Sequence, residues 1–311
     1  TLMGADMNLS FWVLELGISR PMEMDDLAPM ARPTGVVMTN IQPVHTEFFP
    51  SLEAILDEKA KVFDAAEPAA FGALNADDPL LRDLHLPSGM ERILYGTSQD
   101  SDLRIEPAGD PGPQGTAFRL HLRGETAGGF LPVPGMHNLL NFAAACVAGA
   151  CFTAPADLLA ESATGLKPAP HRGELHALRD GILLMDDSYN ANPSAVAAVL
   201  NSTKGWDRRV VGALGEMLEL GASALRHHEA AGALAGQAGL AALLTVGGKN
   251  AAAMAAAFAA SGRPAFHART WQGGAEWIEH QIAAGDGVLV KGSRGIGLDG
   301  LVAWLVERRA A

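Results

Sequence analysis

Apolar and polar positions along the 311-residue chain fall into two regimes. From about residue 180 onward, short unbroken apolar runs alternate with stretches of helical period. The runs at 182–186, 209–214, 241–246, 264–268 and 287–291 have the length and purity of strands buried on both faces. Residues 194–204, 224–238, 250–261, 272–284 and 298–309 read as the helices between and after them. Such regular alternation predicts a doubly wound α/β domain with a parallel sheet. The first half is less even. It suggests strands at 11–16, 35–41 and 71–75, and helices over 25–31 and 51–65. Between 93 and 133 the runs shorten and Gly/Pro clusters interrupt them, which predicts antiparallel hairpins, and a small-residue helix follows over 138–152. Lys167-Pro168-Ala169-Pro170 is the linker candidate, because two prolines in four residues disfavour helix and strand alike. The expected division is therefore 1–168 and 169–311.

Charge narrows the partners. With 35 acidic against 23 basic residues the net charge is −12, so the overall field opposes nonspecific nucleic-acid binding. A local basic loop or helix N-terminus can still receive an anion. The two cysteines, Cys146 and Cys151, lie in an apolar helical segment with no metal-ligand spacing, which suggests reduced thiols and a cytoplasmic protein. No apolar run approaches the roughly 18 residues needed for a membrane span.

Polar clusters collect where strands end. The densest is Asp186-Asp187-Ser188-Tyr189-Asn190-Ala191-Asn192-Pro193-Ser194, in which Asn192-Pro193 reads as helix N-cap and first helical position. A strand end, polar loop and helix N-terminus in that order is where open α/β sheets bind ligands. Glu15 closes an apolar run, a position from which an acid can face a phosphate-bound Mg2+. His45 follows the strand at 35–41, and Asn138 and Asn141 share one face at the start of a helix. Arg172 sits just past the linker, where a hinge can swing it onto a phosphate. Lys291-Gly292-Ser293-Arg294 forms another basic strand-end loop. Taken singly, each of these also reads as an ordinary cap, surface charge or turn.

Taken together they resemble the Mur ligase family. The segments are VLELG (13–17), TNIQPVHTEFFPSLEAILDEKAKVF (39–63), LNADDP (74–79), GMHNLLNFAAA (135–145), HRGELH (171–176), DDSYNANPSA (186–195), LGEMLELG (214–221), HEAAG (228–232) and VLVKGSR (288–294), in the family's order. The DSYNANP form is similar to the branch that joins D-alanyl-D-alanine to UDP-N-acetylmuramoyl-tripeptide, in peptidoglycan precursor synthesis. The resemblance implies an incomplete central ATP-binding domain followed by a Rossmann-like C-terminal ligase domain, in a monomeric bacterial cytoplasmic enzyme. It implies Glu15, His45 and Lys59 (as a carbamate, in preference to Lys61) as Mg2+ ligands. Asn138, Asn141, Arg172, Asp187, Tyr189 and Asn192 would contact ATP, with Lys59, Arg172 and His45 in the catalytic group. His228, Lys291, Ser293 and Arg294 would position the incoming amino component.

The pattern breaks at one point. No G-x-x-x-x-G-K-[ST] phosphate loop occurs in these residues. The family carries that loop before VLELG, after a UDP-binding domain, so the chain is expected to be a fragment of a ligase without appreciable activity alone. The alternative is a Mur-like binding or scaffold protein that has lost ATP hydrolysis. A dinucleotide oxidoreductase is disfavoured, since no G-x-G-x-x-G follows the strand at 182–186.

Overall fold

The computed structural model describes residues 8–43 and 48–310. His45 lies outside the described residues.

Two six-stranded sheets organise the chain. The first contains β1 (Gly35–Met38), β2 (Phe71–Asn75), β3 (Glu91–Gly96), β4 (Leu103–Pro107), β5 (Thr116–Leu122) and β6 (Glu125–Leu131), side by side in sequence order. Pairings from β1 to β4 are parallel, so β3, at the start of the 93–133 stretch expected to form hairpins, is a parallel strand, and only β4–β5–β6 form an antiparallel meander. On one face lie α1 (Glu23–Ala31) and α2 (Leu52–Ala60), with Met24, Ile55, Phe63 and Leu74 in their core. The small α3 (Pro79–Arg82) packs with them. The other face is covered by α4 (Met136–Cys151) and α5 (Ala156–Ser162), around Phe118, Leu120, Leu139 and Phe142. A Cβ on Gly149 of α4 would lie 2.8 Å from the Leu159 side chain, so this glycine lets α5 pack close to α4.

The second sheet contains β7 (Glu174–Ala177), β8 (Leu183–Asp187), β9 (Val210–Gly215), β10 (Ala242–Val246), β11 (Ala265–Ala268) and β12 (Gly287–Lys291), in the order β11-β10-β9-β12-β8-β7. All its pairings are parallel except the edge pair β7–β8. Helices α6 (Pro193–Ser202), α7 (Ala224–Gln237) and α8 (Lys249–Ala259) enclose one core, and α9 (Trp271–Gln281) and α10 (Asp299–Arg308) the other. The chain runs outward from β9 to β11, then returns to place β12 between β9 and β8. That reversal sets the carboxyl ends of β8, β9 and β12 side by side, the place where such sheets receive ligands.

One expected strand is not formed. Residues 11–16 have no regular structure, and Val13 is 98% exposed. An apolar run becomes a strand only where a neighbour accepts its ladder of hydrogen bonds. Here Phe11 instead packs edge-on against Phe152 at 4.7 Å, beyond the end of α4, and Phe152 meets Phe71 of β2. Glu15 is consequently an exposed residue on an irregular segment rather than the end of a strand.

Candidate functional site

The loop after β8 is shaped by its own side chains. Asp186, 1% exposed, accepts hydrogen bonds at Oδ1 from the Ser188 backbone N–H (3.0 Å) and hydroxyl (2.6 Å). Its Oδ2 meets His171 Nδ1 at 2.7 Å, and the Tyr189 N–H donates to the His171 carbonyl at 3.0 Å. The residue before Arg172 is therefore pinned to the loop on two sides, although His171 adopts a left-handed φ of 61°. Asn192 then caps α6 by accepting from the Ala195 N–H at 2.8 Å, with Pro193 at the first helical position as the spacing predicts. The cap occupies Asn192 Oδ1.

Three strand ends are knitted together beside it. Parallel register aligns Lys291 of β12 with Asp187 of β8 on one side and Leu214 of β9 on the other. Lys291, 4% exposed, donates to Asp187 Oδ2 at 2.7 Å and to the Asn190 carbonyl at 3.0 Å. The Ser293 hydroxyl donates to the Ala191 carbonyl at 3.3 Å and accepts the Leu218 N–H at 3.0 Å. A Cβ on Gly292 would lie 3.1 Å from the Gly215 Cα, so the absent side chain is what lets the loops after β9 and β12 meet. The exposed Tyr189 ring carries two guanidinium groups, Arg172 at 4.1 Å and Arg294 at 6.0 Å from its centroid. Arg294 also faces Asp299 at 3.5 Å.

His228 has a different task from the one expected of it. It is fully buried, its Nδ1 donates to the Ala224 carbonyl at 2.7 Å, and its Nε2 accepts the Met217 N–H at 2.8 Å. One neutral tautomer satisfies both bonds and leaves no ring nitrogen for a substrate. His228 ties the 216–221 loop to the start of α7. Glu216, in the same loop, binds the Gly248 N–H and, at 2.8 Å, the Asn250 side chain at the start of α8.

The first sheet supplies the facing wall. Ser194, at the start of α6, hydrogen-bonds Gln42 in the loop after β1, joining the two halves of the chain. The α4 N-terminus approaches the same place, since His137 lies within the electrostatic reach of Asp187 and Lys291. Asn138 donates to the Pro134 carbonyl at 2.8 Å, and Asn141 donates to Asn138 Oδ1 at 3.4 Å, so the pair shares one helix face as anticipated. Below them Asn75 binds the Thr39 carbonyl at 2.7 Å, while Asp78 takes the Ile41 N–H at 2.7 Å and caps α3. These contacts fix the loop after β1, and the doubled polar residues of LNADDP were their signal.

The two neighbouring lysines of α2 and its continuation differ sharply. Lys61 bonds Asp25 at 2.7 Å and Glu58 at 2.8 Å, and those carboxylates hold its ammonium above the usual lysine range. Lys59 is partly buried, and burial draws it below that range against the opposing field of Asp78. Of the two, Lys59 is the one whose charged form is disfavoured by burial. Burial pushes the thiols of Cys146 and Cys151 to about 12 and about 11, so neither is a ready nucleophile.

Comparison with known proteins agrees with this layout. The Mur ligase middle domain matches residues 1–149, and the Mur ligase glutamate ligase domain matches residues 171–294. The UDP-N-acetylmuramoyl-tripeptide–D-alanyl-D-alanine ligase of Bacillus subtilis is 28% identical over 317 residues, covering 99% of the chain and 66% of the relative. A crystal structure of MurF from Acinetobacter baumannii superposes with a TM-score of 0.83 at 22% identity, over 94% of the chain and 64% of its counterpart. MurF from Thermotoga maritima in complex with ADP gives a TM-score of 0.81 at 21% identity, over 93% of the chain and 65% of its counterpart. The chain thus spans just under two thirds of the length of these relatives. With the middle domain's match ending ahead of the linker and the C-terminal domain's match starting just beyond it, the chain belongs to the Mur ligase family.

Proposed function

We propose that the chain is the central and C-terminal part of an ATP-dependent ligase that joins D-alanyl-D-alanine to UDP-N-acetylmuramoyl-tripeptide, with the division between the parts at 168/169. The observation that carries this reading is the Asp187–Lys291–Ser293 junction at the second sheet's carboxyl ends, opposite the α4 N-terminus with Asn138 and Asn141. The B. subtilis relative's name and the ADP bound to the T. maritima neighbour point to the same substrates.

In this reading the tripeptide carboxylate attacks the γ-phosphate of ATP, forming an acyl phosphate and releasing ADP. The D-alanyl-D-alanine amine then attacks the acyl carbon, and phosphate leaves. Catalysis in such a site is mainly positioning and charge neutralisation. Asn138 and Asn141 hold the base end of the nucleotide from the first sheet. Asp187, Tyr189 and Asn192 hold it from the second, and Arg172 leaves the Tyr189 ring to reach the γ-phosphate. Lys291, Ser293 and Arg294 orient the amine component, with His228 supporting their loop. Mg2+, held by Glu15, His45 and carbamylated Lys59, would neutralise phosphate charge. The depressed ammonium of Lys59 fits that role, because carbamylation starts from the neutral amine.

The experiment is nucleotide binding and turnover by this chain. ADP should bind and NAD should not, while phosphate release with ATP, both peptide substrates and Mg2+ should be negligible. Turnover near that of a complete ligase would contradict the expectation that these residues need a phosphate loop. Absence of ADP binding would favour the scaffold alternative.

A further inference from the structure

The β7–β8 hairpin carries a group of side chains that the ligase reading does not use. Glu174 and His176 stand two residues apart on one face of edge strand β7, and antiparallel register sets Asp186 of β8 opposite Glu174. One ligand atom from each of the three lies within 4.8 Å of the others. Asp186 is fully buried, and the other two are half-buried. His176 Nε2 is buried and has no hydrogen-bond partner among the described residues, which is uncommon for a polar atom inside a folded chain. Two carboxylates closing on one point repel each other. A cation among them removes the repulsion and can take a nitrogen donor.

Asp186 is held as a metal-bound carboxylate would be. Ser188 occupies Oδ1 with two donors, and His171 meets Oδ2, which retains a second lone pair. One imidazole and two carboxylates suit a borderline divalent ion such as Zn2+ better than Mg2+, which prefers oxygen alone. We propose that Glu174, His176 and Asp186 form a divalent transition-metal site that Zn2+ fills, with water completing its coordination. Asp186 and Asp187 are consecutive strand residues and face opposite sides of the sheet, so this site is separate from the nucleotide-facing one. Its effect is to lock the hairpin that carries His171 and Arg172. The inference does not depend on the ligase reading.

The test uses the whole chain, stripped with chelator and titrated calorimetrically with Zn2+ alone, and with Co2+ as a spectroscopic probe. A single equivalent should bind, with Co2+ giving visible d–d bands and Zn2+ raising Tm. Removing even an outer-shell partner of a metal costs about 10–100-fold in affinity. Loss of a direct ligand in His176→Ala should therefore weaken Zn2+ by more than about 100-fold and abolish the Tm rise. Glu174→Gln keeps the shape of the hairpin and should also weaken binding, while His85→Ala on an exposed loop should not. Circular dichroism of the metal-free variants separates lost binding from lost fold. Unaltered Zn2+ affinity in both His176→Ala and Glu174→Gln would overturn the site. So would absence of binding to the parent chain.

Discussion

Lys291 and Lys59 show how the same side chain serves opposite ends at two depths. Lys291 is buried and paired with Asp187, so its charge is compensated. Removing one partner of a buried pair costs about 3–5 kcal/mol, because the other charge is left without compensation. Lys291→Met should therefore lower stability by about 3 kcal/mol in urea titration, given that Asp187 retains some exposure. Among the described residues the field of Asp78 offsets the burial of Lys59 only in part, and its folded pKa lies below the unfolded value. For such a depressed group the stabilising contribution is present above the unfolded pKa, about 10.4, and is lost as pH falls through the folded value. At neutral pH the buried ammonium is a cost. Lys59→Met should raise the urea midpoint at pH 7, and the difference from the parent should shrink as pH rises toward about 10.4. The same amine should give a carbamate resonance in 13C-bicarbonate. That resonance should vanish in Lys59→Arg and survive in Lys61→Arg, since Lys61 is engaged by Asp25 and Glu58.

Among the elements, α6 links sequence to site most directly. Its N-cap is Asn192 and its first residue is Pro193, so the Asn190–Ser194 loop and the helix are set together. Asn192→Ala should cost about 1 kcal/mol, as loss of an N-cap does, and should also loosen the Ser194–Gln42 link. Thermal unfolding and ADP affinity of that variant read the two effects separately. The helices and central strands of the second half were legible because β9, β10 and β12 are buried on both faces, giving unbroken apolar runs between amphipathic helices. Strand β7 was not legible: its four residues, Glu-Leu-His-Ala, lie on an edge with two ionisable side chains facing Asp186. Residues 11–16 erred in the other direction. Their apolar run carries strand character, but strand formation depends on a neighbouring ladder that local composition cannot report.

At the scale of the molecule, the candidate site lies where two separately cored sheets approach each other. Polar residues at strand ends disclosed its parts, since Asp187, Arg172, Asn138 and Lys291 all sit in short polar interruptions of apolar pattern. Their division of labour was less visible. His228 sits within a motif like the others, yet both its nitrogens are spent on backbone, and only the three-dimensional contacts reveal that. The reverse holds for His171 and Asp186, whose bond ties the linker to the β8 loop across fourteen residues of intervening sequence. The central claim is that one nucleotide is gripped from both sheets. Equilibrium binding of ADP to the parent chain, Asn141→Ala and Arg172→Ala tests it most directly, because both side chains are exposed and neither holds a core. Weakening of ADP by both variants, with unfolding midpoints close to that of the parent, is the predicted result. ADP affinity that depends on neither residue would contradict the shared site.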